Sequence, residues 1–300
     1  MKSQRQTLSF LQSRFREIGI RPNTKHGQNF LIDLNLVKFV ADAADIQPTD
    51  VVLEVGTGTG SLTAMLADQA AEVITVEIDQ QLANLAREEL FEVDNITFLQ
   101  QDVLRNKNNF DPHVLDVIRE KVTEGRGFKL VANLPYNVAT PVMSNLLLID
   151  TFPDSMTVMI QKELGDRMVA LPRTKDYGSL SVWMQSVAST EILKEVPPTV
   201  FYPKPKVTSA IVQVVSDRER RSAIPDLVFF HQFTRKIFLH RRKFLRSSIL
   251  GAWKGDLDKP QVDAIMAQLD FGPETRAEEL TIESMQRLSE AIRTALSQTS

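Results

Sequence analysis

The sequence predicts an α/β fold: a mostly parallel, seven-stranded sheet with helices on both faces, followed by a small all-helical C-terminal domain. Three features carry this reading. Short β-branched runs alternate with helical stretches between 51 and 216, a glycine-rich turn directly follows the first of those runs, and strand-like runs cease from 217 onward. Strands interleaved with helices are joined by crossovers, which makes neighbouring strands parallel and covers both faces of their sheet.

The strand candidates are VVLEVG (51–56), VITVEI (73–78), ITFLQQ (96–101), KLVANL (129–134) and MTVMIQ (156–161), with helical patterns such as SLTAMLADQA and QQLANLAREEL between them. EILKEV (191–196) and AIVQVV (210–215) are separated only by a proline-rich loop. No crossover helix fits there, so these two are expected to pair antiparallel at one sheet edge. The charged, polar stretch Ser216–Ser222 marks a boundary. The expected organisation is a basic, partly disordered extension over 1–25, an α/β domain over 26–216 and a helical domain over 217–300.

Composition narrows the function classes. With 43% hydrophobic and 24% charged residues the chain can bury a sizeable core and reads as an ordinary globular protein. The absence of cysteine excludes disulfides, a thiolate nucleophile and cysteine-ligated metal sites, and fits a reducing cytoplasm. His26, His113, His231 and His240 show no metal-ligand spacing, so no metal is expected. No apolar run approaches the roughly 20 residues that span a bilayer, and the N-terminal stretch has no apolar signal core. A cytoplasmic monomer without membrane attachment is expected. The net charge of −3 argues mildly against a nucleic-acid partner, but its distribution argues for one. Lys2, Arg5, Arg14, Arg16, Arg21 and Lys25 precede Phe30 against Glu17 alone, and Arg235, Lys236, Arg241, Arg242, Lys243, Arg246 and Lys254 lie between Leu227 and Gly255 with no acid. The run His240–Arg246 is expected on a helix, with Phe244 and Leu245 packed inward and the cations exposed; the alternative is a solvated helix face.

Two sites stand out. Glu54-Val55-Gly56-Thr57-Gly58-Thr59-Gly60 follows the first strand and opens a helix. Glycine allows a tight turn and close approach of a ligand, at the sheet edge where doubly wound folds bind nucleotides. Glu77 ends the second strand and can accept both ribose hydroxyls; Asp102 ends the third and can accept from an adenine amino group. NAD and S-adenosylmethionine both fit this much. The GxGxG spacing departs from the GxGxxG of pyrophosphate binding, and Glu54 is unwelcome beside pyrophosphate but tolerable beside a sulfonium cation.

Asn133-Leu134-Pro135-Tyr136 ends the fourth strand. An adenine N6 lone pair is delocalised into its ring and is a poor nucleophile. The Asn133 side-chain oxygen and the Leu134 carbonyl can accept the two amino hydrogens and turn the lone pair outward. Pro135 fixes the turn and removes a donor, and Tyr136 can stack on the base, a contact worth about 1–3 kcal/mol. No general base is required. Most of the rate would come from in-line positioning, which can reach effective molarities of about 10⁵–10⁸ M. Further on, Pro197, Pro198, Pro203 and Pro205 stiffen an arm carrying Phe201, Tyr202, Lys204 and Lys206. Such an arm suits holding an extruded base and its phosphates; a hydrophobic plug in a surface loop is the plainer alternative.

With these motifs in order, the sequence resembles the ribosomal RNA adenine N6,N6-dimethyltransferases, specifically the bacterial small-subunit (16S) enzymes. The resemblance runs from about His26 to Ile292 and is carried by HGQNFL (26–31), EVGTGTGSLT (54–63), VEID (76–79), QQDVL (100–104), NLPYNVATPV (133–142), QKE (161–163), YGSLSV (177–182), VPPTVFYPKPKV (196–207), HRRKFLR (240–246) and TRAEEL (275–280). It implies a Rossmann-like class I methyltransferase fold with S-adenosyl-L-methionine as cofactor. It implies cofactor contacts at Gln28, Asn29, Leu31, Gly56, Gly58, Glu77, Asp102 and Asn133, and a target-adenine clamp of Asn133, Leu134, Pro135, Tyr136 and Phe201. It implies as substrate two adjacent adenines in a hairpin loop near the 3′ end of small-subunit rRNA, within the immature 30S subunit. The expected RNA grip is Lys204, Lys206, Arg241, Arg242, Lys243 and Arg246. The chain departs from many relatives at His26, where they carry an aromatic, at Thr57 and Thr59, and in a longer N-terminal extension; the order of the two modifications stays open. Competing readings are a DNA adenine methyltransferase, whose tetrapeptide usually has proline in place of Leu134, a binding protein that gates ribosome assembly, and an NAD-dependent oxidoreductase, which leaves NLPY unexplained.

Overall fold

A computed structural model describes residues 8–17, 19, 22 and 27–299. His26 and the basic residues Lys2, Arg5, Arg21 and Lys25 lie outside the described residues. The chain divides into two compact units. The first takes the described residues up to Gly165 together with Glu191–Ser216; the second takes Asp166–Thr190 and the residues from Asp217 onward.

The first unit is built on a seven-stranded sheet. Its elements before the sheet begins are α1 (Leu8–Glu17), β1 (Phe30–Leu31) and α2 (Leu34–Ala43). Then come β2 (Val51–Val55), α3 (Ser61–Ala67), β3 (Glu72–Glu77), α4 (Gln80–Glu89), β4 (Ile96–Gln100), the short pair β5 (Leu104–Asn106) and β6 (Asn109–Phe110), and α5 (Pro112–Lys121). β7 (Phe128–Asn133), α6 (Ala139–Leu146), β8 (Ser155–Gln161) and α7 (Lys162–Val169) follow, and β9 (Ala188–Val196), β10 (Phe201–Tyr202) and β11 (Ser209–Ser216) complete the strands. The order across the sheet is β4-β3-β2-β7-β8-β11-β9. β2 pairs in parallel with β3 and β7, β3 with β4, and β7 with β8, whereas β11 runs antiparallel to β8.

All five residues of β2 are buried, as expected of a parallel strand covered on both faces. Helices restart where an aspartate caps them. Asp33 accepts from Asn35 N and Leu36 N, Asp79 from Gln81 N and Leu82 N, and Asp111 from His113 N ahead of Pro112. Each such cap satisfies helix donors that have no intrahelical acceptor, worth about 1 kcal/mol. From β2 the chain first builds outward through β3 and β4, then crosses to β7 on the other side. That reversal opens a crevice at the carboxyl ends of β2 and β7, the place where an open parallel sheet receives a ligand.

Two features were not foreseen. β1 pairs antiparallel with β10, with Phe30 opposite Tyr202 and Leu31 opposite Phe201. This ties the HGQNFL stretch to the proline arm. Within the extension expected to be partly disordered, Leu8–Glu17 is a helix. Leu11 and Phe15, four residues apart and so on one face, are buried against Phe30, Leu82 and Leu85, and Arg14 holds Glu89 at 2.9 Å.

The second unit is helical: α8 (Ser179–Val187), α9 (Arg218–Ser222), α10 (Leu227–Phe238), α11 (Leu245–Ala252), α12 (Lys259–Gln268) and α13 (Ile282–Thr299). Trp183, Phe230, Phe233, Ile237, Ile249, Trp253, Leu288 and Ile292 form its buried interior. The expectation of one unbroken α/β stretch up to 216 differs from this division. α8 clusters with the C-terminal helices because Trp183 packs on Phe230, ring centroids 6.4 Å apart, and on His231 at 4.7 Å. The polar stretch Ser216–Ser222 contains a short helix capped by Asp217. The basic run is also different from its expected form. Leu239–Lys243 is a turn between α10 and α11, and Phe244, expected to pack inward, is 42% exposed while Leu245 alone is buried.

Candidate active site

The glycine turn leaves β2 at Val55. Gly56 has φ of 89° and donates its N–H to Val76 O at 2.8 Å. A Cβ there would stand in the left-handed region and 3.4 Å from Pro135 Cδ, so the turn and the NLPY tetrapeptide abut at a glycine. Glu77, only 7% exposed, closes the turn: one carboxylate oxygen accepts Gly58 N at 3.0 Å and the other Asp79 N at 2.9 Å. Burial raises its pKa, and the backbone N–H groups work against that rise. A carboxylate offers about four lone-pair sites, so two backbone bonds leave acceptor capacity for a ligand diol.

Glu54 is sealed beneath the same turn at 1% exposure. The hydroxyls of Thr63 and Thr75 both donate to its Oε2 at 2.6 Å, and Thr57 Oγ1 lies 2.6 Å from Thr75 Oγ1. Burial pushes its pKa up to about 8, the two hydroxyls pull it down, and the nearby Glu77 adds to the rise. Sequence reading placed Glu54 beside the ligand's cation but missed this node, which joins β2, β3, α3 and the glycine turn.

Asp102 is exposed at the end of the β4 stretch and accepts Leu104 N at 2.9 Å through one oxygen. Gln28 Nε2 donates to Asp79 at 3.2 Å, Asn29 Nδ2 to Gly27 O at 3.2 Å, and Leu31 is buried. Gln28, Asn29, Leu31, Gly56, Gly58, Glu77, Asp102 and Asn133 line one cavity, together with Leu134, Pro135 and Tyr136. Glu54, Phe30, Leu62 and Gln101 line it as well. Among the described residues no cluster of three or more His, Asp or Glu side chains is arranged to hold a metal ion.

The tetrapeptide is held from three sides. Asn133 Nδ2 donates to Asn29 O at 3.1 Å. A carbonyl can only accept, so this bond fixes which end of the amide is the oxygen. Oδ1 then takes no donor among the described residues. Leu134 N donates to Met159 O at 3.1 Å, and its side chain is buried, while its carbonyl takes no described backbone donor. Pro135 O accepts Val138 N and Ala139 N and so starts α6. Tyr136 is half-buried, with Oη 2.7 Å from Ser209 Oγ, and burial raises its pKa. Gly27, at φ of 67°, lies under the tetrapeptide, where a Cβ would come within 3.1 Å of Asn137 Oδ1 and 3.3 Å of Tyr136 N.

Phe201 is not in the cavity. At 3% exposure it belongs to the core with Leu31, Val37, Met159, Val196 and Ile211. The β1–β10 register explains this: alternate residues of a strand face opposite sides, and the side of Phe201 is the core. Three of those neighbours, Leu31, Val37 and Met159, line the cavity, so Phe201 stands behind its wall. Lys204 and Lys206 are exposed on the arm.

The cations of the basic run divide. Arg241 donates from Nη1 to Lys175 O at 2.7 Å and Tyr177 O at 3.3 Å, with Glu278 3.6 Å from its Nε. Arg246 grips Asp263 through two nitrogens. Arg242 and Lys243 are exposed.

A family model described as ribosomal RNA adenine dimethylase matches residues 19–294. The chain belongs to the ribosomal RNA adenine dimethylase family. A relative from Geobacillus sp. (strain WCH70), named ribosomal RNA small subunit methyltransferase A, is 38% identical over 272 residues, covering 90% of this chain and 91% of the relative. One of the same name from Bacillus cytotoxicus is 38% identical over 267 residues, 89% of each chain. Among solved structures, a dimethyladenosine transferase from Plasmodium falciparum superposes with a TM-score of 0.73 at 21% identity, covering 89% of this chain and 98% of that one, a likeness of fold. The 23S rRNA methyltransferase ErmE gives 0.60 at 26% identity over 88% of this chain and all of that one. The Rossmann-like sheet described above is the fold this chain has in common with both structures.

Proposed function

We propose that this chain is an S-adenosylmethionine-dependent dimethyltransferase of adenine N6 in small-subunit (16S) rRNA. The observation that carries the proposal is the fixed amide of Asn133. Its nitrogen is spent on Asn29 O, which leaves its oxygen for a ligand in the cavity that Asn133 and Leu134 line together with the glycine turn. Two acceptors at that spot suit the two hydrogens of an exocyclic amine. They draw the nitrogen toward tetrahedral geometry and aim its lone pair, an interaction that strengthens as the amine becomes a nucleophile. Tyr136 supplies a face for the base.

The cofactor pocket fits the same reading. Gly56 and Gly58 let the backbone pass close to a nucleoside, Glu77 keeps acceptor capacity for a ribose diol, and Asp102 has an oxygen to spare for an adenine amine. S-adenosylmethionine, when bound, supplies a methyl group on a positively charged sulfur. The chain orients the amine toward it and excludes water; the proton lost on methylation needs no dedicated base.

The small subunit is favoured over the large by the names of the relatives at 38% identity. We place the two target adenines side by side in a hairpin loop near the 3′ end of that rRNA, in a partly assembled 30S particle, methylated in the cytoplasm by a monomer. Among the described residues no helix is long and apolar enough to cross a membrane. The α/β portion of 26–216 carries the chemistry, while Lys204 and Lys206 on the arm and Arg242 and Lys243 in the C-terminal portion grip phosphates. Arg241 and Arg246 are assigned to structure, because their guanidinium groups are already engaged. The test is mass spectrometry of rRNA from cells lacking the protein. Two adjacent dimethyladenosines should be missing from small-subunit rRNA and return with the wild-type gene but not with Asn133→Ala. Loss confined to large-subunit rRNA or to DNA would overturn the proposal.

A further inference from the structure

The tyrosine of the tetrapeptide is anchored by a residue two strands away. Tyr136 stands three positions beyond Asn133 at the end of β7, and Asn133 lies opposite Met159 of β8. Ser209 opens β11 and lies opposite Gln161, the last residue of β8. In sheet order β8 separates the two. The bond of 2.7 Å between Tyr136 Oη and Ser209 Oγ therefore spans the carboxyl end of β8, and the ring lies across that end beside the cavity. Ser209 is completely buried, and Tyr136 is its one hydroxyl contact among the described residues. A buried hydroxyl without a hydrogen-bond partner is costly, so each group holds the other in place. Ser209 is also where the arm carrying Lys204 and Lys206 enters the sheet, and the carbonyl of its neighbour Thr208 accepts Lys162 N at 2.9 Å.

We infer that Ser209 is a positioning residue for the methyl transfer: its hydroxyl fixes the plane of the Tyr136 ring against which the target adenine stacks, and it couples that plane to the arm that holds RNA. The inference rests on the proposed function for the identity of the base, but the bond stands on the structure. On that reading positioning carries most of the rate, since the proton lost on methylation requires no dedicated base. A ring free to tilt lets the base tilt, and small misplacements of reacting atoms are expensive in rate.

The test is a double-mutant cycle on the full chain with Ser209→Ala, Tyr136→Phe and both together. Tyr136→Phe keeps the ring and removes only its anchor. Each single variant should slow single-turnover methylation of undermethylated small-subunit particles by roughly 10-fold. The double variant should be no slower than either single, because both remove the same bond. S-adenosylmethionine affinity by calorimetry should match wild type, and every variant should remain fully folded at the assay temperature even though each single change leaves one hydroxyl unpaired. The ¹³C-labelled tyrosine ring signal assigned by its loss in Tyr136→Phe should move in Ser209→Ala. Wild-type rates in Ser209→Ala, single losses that multiply in the double variant, or losses accounted for by the fraction unfolded at the assay temperature would each overturn the inference. Wild-type protein that transfers no methyl to rRNA adenine, with the ring signal still dependent on Ser209, would instead overturn the functional reading and leave the bond a structural one.

Discussion

Asn133 and Glu54 show how much one side chain's surroundings decide. Asn133 donates its amide nitrogen to Asn29 O, and on the proposed function that bond leaves the oxygen for a substrate amine. Glu54 is the reverse case, an acid whose oxygen is consumed by two threonine hydroxyls and which no substrate needs to touch. Its folded pKa of about 8 stands above the ordinary value of 4.5 because burial disfavours the charge. Between those two values the folded state binds more protons than the unfolded chain, so this group's contribution to stability falls as pH rises through 4.5 to about 8 and is level beyond. Glu54→Gln keeps an acceptor for the threonines and cannot ionise. Its melting temperature should therefore gain on that of wild type steadily across the window, as read by thermal melts at a series of pH values. Parallel curves for the two proteins would show that Glu54 is ionised in the fold.

At the scale of elements, the turn between α10 and α11 does two jobs with adjacent residues. Arg241 pins the carbonyls of Lys175 and Tyr177 and faces Glu278, while Arg242 and Lys243 are exposed. Arg241→Gln should cost about 1.5–3 kcal/mol, the range for hydrogen bonds to a charged group. Arg242→Gln and Lys243→Gln should each stay within about 0.5 kcal/mol of wild type. Denaturant titration of the three variants checks this, and an unaffected Arg241→Gln would return that cation to the RNA grip. Sequence alone could not make the division. The run reads as one basic stripe, and only the fold brings Lys175, Tyr177 and Glu278 to one of its members. The central strands were legible for the opposite reason: β2, β7 and β8 are buried over nearly their whole length, so they read as short, mostly apolar runs. β1 and β10 have two residues each and no period to read, and the inward side of Phe201 depends on their register. The cavity residues were legible where motif and strand end coincide, as at Gly56, Glu77 and Asn133. Ser209 and the Thr63–Glu54–Thr75 node join elements far apart in sequence and leave no local mark.

Over the whole molecule, acids outnumber bases, 38 to 35, yet the arm and the α10–α11 turn present cations. A phosphate grip built from few cations should show as a shallow dependence of RNA affinity on salt. Replacing Arg242 and Lys243 together by glutamine should lower the slope of log affinity against log salt by about 2, near one for each phosphate no longer neutralised. An unchanged slope would move the grip to Lys204, Lys206 or the N-terminal basic segment. The central claim is that the presented oxygen of Asn133 and the Leu134 carbonyl prepare an adenine amine for methylation. Its most direct measurement is single-turnover transfer of isotope-labelled methyl from S-adenosylmethionine to undermethylated 30S particles at saturating cofactor and RNA, followed by mass spectrometry of the rRNA. Wild-type protein should place dimethyladenosine on two adjacent small-subunit adenines, and Asn133→Ala should do so roughly 100-fold more slowly, the usual cost of removing one preorganised polar group from a reaction centre. Equal rates for the two proteins, or label on any base other than those adenines, would contradict the account.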